Sequence, residues 1–137
     1  MNPLSSIREY MERTPATVSP GTEVGEAVLL LLKLNISAVP VVEVGGQLAG
    51  ILTQRDCLEA FVDEQYYDEP TALVRDLMST EVVTIAPDAS ILQAAELFAH
   101  HNFHLLPVMA EGELVGQISR TDVMRAILQT HTSVSHS

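Results

Sequence analysis

The chain has 137 residues, 47% of them hydrophobic and 18% charged, which is enough apolar material for a packed core. Eighteen acidic against seven basic side chains leave a net charge of −11. With no basic stripe to displace counterions from phosphates, nucleic acid and anionic membrane surfaces are excluded as partners.

Met1-Asn2-Pro3-Leu4 lacks the basic-then-apolar pattern of a leader peptide. The most apolar run, Ala27 to Leu32, is stopped by Lys33 and is far too short to span a bilayer. Cys57 is the single cysteine, so an internal disulfide and a paired-cysteine zinc site are both excluded. A cytoplasmic protein is expected.

The chain then repeats itself. A shift of 67 residues lays Ile7-Arg8-Glu9-Tyr10-Met11 on Val74-Arg75-Asp76-Leu77-Met78, Pro20 on Pro87, Asn35 on Asn102 and Pro40-Val41 on Pro107-Val108. Past a turn one residue shorter in the second copy, a shift of 66 lays Leu48 on Leu114, Gly50 on Gly116 and Asp56 on Asp122. Accidental apolar similarity does not hold Pro, Gly, Asn and Asp in register over such a distance, so the copies are a duplication.

In each copy, Thr17-Val18 or Thr84-Ile85 starts a short extended piece ended by Pro20 or Pro87. A helix follows, with Val24, Ala27, Val28, Leu31 and Leu34 at helical spacing, matched by Ile91, Ala94, Ala95 and Phe98. Thr22 is the expected cap of the first, Ser90 with Gln93 forms a capping box for the second, and Asn35 and Asn102 are the expected terminators. Two strands come next, Val39 to Val44 and Gln47 to Thr53 around Gly45-Gly46, then Leu106 to Ala110 and Glu113 to Ser119 around Glu111-Gly112. A last helix spans about Arg55 to Val62, and Thr121 to Gln129 in the second copy. The fold class is therefore α/β (α+β), two β-α-β-β-α units over residues 7–65 and 74–130, with a linker at 63–73 and a polar tail at 131–137. Tyr66-Tyr67 in the linker is expected to pack as a turn.

Gly50-Ile51-Leu52-Thr53-Gln54-Arg55-Asp56 and Gly116-Gln117-Ile118-Ser119-Arg120-Thr121-Asp122 carry the most chemistry. Each has a glycine, a strand end, a hydroxyl residue and an aspartate three residues later that opens a helix. Ser/Thr-x-x-Asp is first of all a capping box. The alternative is a ligand site. The free amides of a helix start face a phosphate, helped by the hydroxyl and a nearby arginine, while the carboxylate accepts bonds from ribose hydroxyls.

The doubled pattern resembles a pair of cystathionine β-synthase (CBS) domains, the Bateman module. Val74-Arg75-Asp76-Leu77-Met78, Ser37-Ala38-Val39-Pro40-Val41-Val42, His104-Leu105-Leu106-Pro107-Val108 and the two Gly-h-h-Thr/Ser-x-x-Asp segments carry the resemblance, which covers about Ile7 to Leu128. It implies pseudo-twofold stacking of the units, two clefts for adenosine derivatives (AMP, ADP, ATP or S-adenosylmethionine), and a homodimer forming a four-unit disc. It further implies that each cleft draws its residues crosswise. One would combine Thr17, Ser37, Ala38 and Pro40 with Ser119, Arg120 and Asp122. The other would combine Thr84, His104, Leu105 and Pro107 with Thr53, Arg55 and Asp56. Many nucleotide-binding pairs carry Arg or Lys where Ala38 and Leu105 stand here. The cationic candidates are thus Arg55, Arg120 and His104, and a triphosphate would call for Mg²⁺.

A histidine at position 104 would strengthen phosphate binding as pH falls. His100 and His101 are expected to be solvated helix-end residues rather than metal ligands, and Cys57 a small core hydrophobe. Leu58, Phe61, Val123, Met124 and Ile127 are expected in the core or a dimer interface. No nucleophile–base pair, cofactor lysine motif or metal cluster is present in the sequence, so the expected role is regulation of an unidentified partner protein and not catalysis. The alternative is a ligand-free interaction scaffold in which Thr53/Asp56 and Ser119/Asp122 only cap their helices.

Overall fold

A computed structural model describes residues 5–63 and 72–135, with residues 130–135 described as backbone alone. Tyr66-Tyr67, most of the expected linker and residues 136–137 lie outside these. The chain folds as two compact units, residues 16–82 and residues 1–15 with 83–137, called here the first and second unit.

The first unit contains α1 (Val24–Leu34), β1 (Ala38–Val42), β2 (Leu48–Thr53), α2 (Gln54–Val62) and the single-turn α3 (Val74–Leu77). The second contains a 3₁₀ turn (Ile7–Glu9), α4 (Ile91–His100), β3 (Leu106–Ala110), β4 (Glu113–Ile118) and α5 (Arg120–Ser135). Each unit has one antiparallel hairpin, with Ala38 opposite Thr53 and Leu106 opposite Ile118. In both, the register shifts at the same place, between Val41 and Val42 and between Val108 and Met109. The expected extended pieces add parallel bridges from Val18 to Val41 and from Ile85 to Val108. Hairpin turn chemistry follows the glycines. Gly46 takes φ 92°, whereas the shorter second turn puts both Glu111 and Gly112 at positive φ, as a two-residue turn matching strand twist requires.

The mixed α/β architecture is the expected one, but the packing boundaries cut across the repeats. Ile7, Tyr10 and Met11, which open the first repeat, pack in the second unit with Ile85, Leu106, Val108, Ile118 and Val123. Val74, Leu77 and Met78, which open the second repeat, pack in the first unit with Ala27, Leu31, Val39, Val41 and Leu52. Each leading segment thus completes the core that belongs to the other repeat. The backbone then continues as a crossing strap: Glu12 exchanges two hydrogen bonds with Gln117, and Ser79 exchanges two with Ile51. Residues 72–73 of the expected linker are also structural. The Val24 amide donates to the Ala72 carbonyl at 2.9 Å, and Leu73 bridges Glu23.

Three local expectations are corrected. Thr22 does not cap α1. Its hydroxyl accepts from the Ser19 amide at 3.2 Å, and the cap position falls one residue later, at Glu23, without a side-chain cap, the amide of the first helical residue, Val24, being satisfied by Ala72. Asn35 does end α1 in the left-handed region at φ 54°, but Asn102 has no such role. There α4 ends at His101 in extended backbone. Extended backbone puts side chains two apart on one side, and the His101 ring stacks on Phe103 with centroids 5.1 Å apart. Finally, α5 continues to Ser135 beyond the expected stop at Gln129, through a stretch with no glycine or proline to break it.

Gly25 sits on the exposed face of α1, and a Cβ there would meet nothing within 4 Å. Gly25→Ala is therefore expected to raise unfolding free energy by about 0.5–1 kcal/mol through helix propensity alone. Urea titration checks this.

Candidate functional site: paired helix starts beside the strands

In the first unit, β2 runs without a loop into α2, so the strand end serves as the helix cap. The Thr53 hydroxyl accepts from the Asp56 amide at 3.0 Å, and Asp56 Oδ2 accepts from the Thr53 amide at 2.9 Å. In the second unit the Ser119 hydroxyl accepts from the Asp122 amide at 3.2 Å, and Asp122 Oδ2 accepts from the Ser119 amide at 2.9 Å. Both segments singled out in the sequence are thus closed capping boxes, and each aspartate is turned onto its own helix start. One carboxylate oxygen is committed in each case. Asp122 Oδ1 meets Arg125 Nη1 at 3.1 Å, while Asp56 Oδ1 takes no hydrogen bond among the described residues.

The start of each first strand lies beside this helix start. Ala38 is the cross-strand neighbour of Thr53, and the Ser37 carbonyl accepts from the Gln54 amide at 2.9 Å. In the second unit, Arg120 Nη2 donates to the Phe103 carbonyl at 2.9 Å, next to His104 and Leu105. Within each unit the expected residues therefore divide by character. Ala38, Pro40, Leu105 and Pro107 are buried, Thr53, Asp56, Ser119 and Asp122 are half-buried, and Thr17, Ser37, Arg55, Thr84, His104 and Arg120 are exposed.

The arginines differ from one another. Arg55 pairs with Glu59 at 3.1 Å along the exposed side of α2. Arg120 bonds a backbone carbonyl, and its counterpart in the first copy is Gln54, whose Nε2 donates to the Ile36 carbonyl at 3.0 Å. Reading the arginines as equivalent companions of the two motifs hid this bridge. Its signal was present in the register that aligns Gln54 with Arg120.

Gly50 and Gly116 also have a role the motif alone did not disclose. A Cβ on Gly50 would stand 2.5 Å from the Ser79 carbonyl oxygen, and one on Gly116 would stand 2.6 Å from that of Glu12. The glycines admit the crossing straps.

Thr84 also lines an open groove of about 540 Å³ with Ile85, Gln93, Glu96, His100 and His101. Among the described residues no group of three or more His, Cys, Asp or Glu side chains could hold a metal ion, and no helix is long and apolar enough to cross a membrane. Cys57 is half-buried against the first-unit core. Burial, and then the neighbouring Asp56 carboxylate, raise its thiol pKa, which suits packing and not nucleophilic chemistry.

The CBS domain family model matches residues 7–63 and again 74–129. The CBS domain-containing protein YhcV of Bacillus subtilis is 38% identical over 120 residues, covering 88% of this chain and 84% of that protein. The crystal structure of CBSX2 of Arabidopsis thaliana in complex with AMP superposes with a TM-score of 0.82 at 27% identity, covering 92% of this chain and 98% of the other. The CBS domain pair of protein MJ0100, crystallised with 5-methylthioadenosine and S-adenosyl-L-methionine, shares the fold at a TM-score of 0.80 and 23% identity, over 93% of this chain and 99% of that one. With two matched repeats that together take up most of its length, this chain belongs to the CBS domain family as a tandem CBS pair.

Proposed function

We propose that the chain is a regulatory module that binds an adenosine-containing ligand, AMP, ADP, ATP or S-adenosylmethionine, and signals its presence to a partner protein. The observation that carries this is the repeated placement of a hydroxyl–carboxylate helix start beside a buried proline-bounded strand, in a family whose member CBSX2 has been crystallised with AMP. The carboxylates would hold the ribose, the helix amides and arginines the phosphate, and Ala38, Pro40, Leu105 and Pro107 the base. The crosswise allocation of these residues that the family resemblance implies forms part of the proposal. A triphosphate would bring Mg²⁺ to balance its charge, because the chain has few bases. The role is regulatory and not catalytic, in the cytoplasm, where a lone Cys57 stays reduced.

A second reading has an observation of its own. Both aspartates already satisfy helix amides, which is all that a ligand-free interaction scaffold requires of them. Thermal denaturation of the whole chain with each of the four compounds at millimolar concentration separates the readings. A ligand that binds only the folded chain at 100 times its Kd stabilises it by about 2.7 kcal/mol, so the sensor reading expects a midpoint rise of several degrees with at least one. No rise with any of the four supports the scaffold.

We further propose a homodimer built on the apolar outer faces of the helices. In the first unit Leu58 and Val62 on α2 are 65% and 81% exposed, and in the second unit Met124 and Leu128 on α5 are each 65% exposed. Large apolar side chains exposed at helical spacing are the usual mark of an interface. Leu58→Glu combined with Val62→Glu is expected to convert a dimer to a monomer in analytical ultracentrifugation while leaving the circular dichroism unchanged. A wild-type chain that sediments as a monomer contradicts the proposal.

A further inference from the structure

Among the described residues one buried side-chain polar atom has no partner, Gln117 Oε1. Gln117 stands on β4 directly across from Pro107. Their strand neighbours Leu106, Val108 and Ile118 pack in the second-unit core, so alternation puts Gln117 and Pro107 together on the other face of the hairpin. The amide cannot be turned round to relieve its oxygen. Nε2 donates to Oε2 of the exposed Glu12 at 3.0 Å, and a carboxylate only accepts. The nitrogen is therefore held at the surface and the oxygen inside. The crossing strap does not need this side-chain bond. Glu12 and Gln117 already exchange two backbone bonds, as do Ser79 and Ile51 in the first unit, where Ile51 has no polar side chain to add. A buried acceptor without a donor is a cost to the fold, and a ligand that brings an N–H to it recovers that cost.

We propose that Gln117 is a specificity-determining residue, its Oε1 accepting a hydrogen bond from the exocyclic amino group of adenine in the site that takes Pro107. Glu12 is the positioning residue that keeps the oxygen aimed. This rests on the adenosine-ligand reading above, which sets Pro107 against the base. The amino group is the one donor on an adenine base, whose ring nitrogens only accept. At the other site Ile51 stands opposite Pro40 and offers no such acceptor. The two sites therefore read the amino group with unequal strength.

The test is calorimetric titration of the whole chain with AMP and, separately, with purine riboside monophosphate, which carries hydrogen in place of the amino group. In the wild type, the preference for AMP is expected to be about tenfold greater at one site than at the other, the order of pairing an orphaned buried acceptor. Gln117→Ile installs the residue of the first copy, and Gln117→Met keeps the unbranched shape. Each is expected to bring that preference down to the level of the other site, chiefly by weakening AMP. Glu12→Ala leaves the strap's backbone bonds but lets the amide turn, and is expected to reduce the preference part of the way. Equal preferences at the two wild-type sites overturn this inference and leave the adenosine-ligand reading standing. So does an excess that survives in the Gln117 variants, or a loss there that falls on both compounds alike. If neither compound binds the wild type, the adenosine-ligand reading itself fails and takes this one with it.

Discussion

Replacing Gly116 by alanine is expected to lower the unfolding free energy by about 2–4 kcal/mol, and Gly50→Ala by a similar amount. Neither glycine has positive φ, so the cause is space and not backbone freedom. The new methyl at Gly116 would stand 2.6 Å from the Glu12 carbonyl oxygen and 2.9 Å from Met11 Sδ. The first of these is backbone held on both sides: the Glu12 amide donates to the Gln117 carbonyl at 2.8 Å, and the Gln117 amide donates to the Glu12 carbonyl at 3.0 Å. Overpacking alone costs about 1–3 kcal/mol, and pushing the strap away forfeits two backbone bonds worth about 0.5–1.5 kcal/mol each. The strap also carries Ile7 into the second-unit core, where it is fully buried, so displacement spreads inward. Urea denaturation of both variants, with Gly25→Ala as the control that meets no atom, measures this. A loss under about 0.5 kcal/mol would show that the straps are not held there.

Removing either site carboxylate should reduce both stability and ligand affinity. In Asp56→Ala the Thr53 amide loses its acceptor, and in Asp122→Ala the Ser119 amide loses one and Arg125 its partner. Loss of one arm of a capping interaction costs about 1 kcal/mol, which sets the expected stability change. Loss of the proposed ribose acceptor, a charged hydrogen bond of about 1.5–3 kcal/mol, corresponds to a fall of about tenfold to a hundredfold in affinity at one site. The two variants should therefore remove different sites, and the pair together should remove both. A common loss at both sites in each variant would point to unfolding, and matched denaturation curves detect it.

The residues that made the fold legible are those whose local chemistry is decisive. Ser90 with Gln93, Thr53 with Asp56 and Ser119 with Asp122 name their helix starts, because each pair satisfies amides within four residues of itself. Gly45-Gly46 and Glu111-Gly112 name the turns for the same reason. What stayed hidden depends on partners distant in sequence. Nothing in Ile7 or Val74 tells that each leading segment packs against the other repeat's helices. Nothing in Gly50 or Gly116 distinguishes room for a phosphate from room for a passing backbone. Thr22 was misleading because its hydroxyl meets the Ser19 amide and hydroxyl, closing the turn at Ser19 rather than the helix. Of the candidate site, residue types and order could be read in advance. The division of labour between Gln54 and Arg120 needed the carbonyls they meet.

The central claim is that Asp56 and Asp122 serve a ligand as well as their own helices, and Asp→Asn separates the two duties. An asparagine oxygen can still accept the Thr53 or Ser119 amide, whereas the second carboxylate oxygen and the charge are gone. AMP titrated calorimetrically onto the wild type, Asp56→Asn and Asp122→Asn is the direct measurement. The account predicts near-native melting for both variants and the loss of one AMP site in each. Full AMP binding by both variants, or none by the wild type, would contradict it.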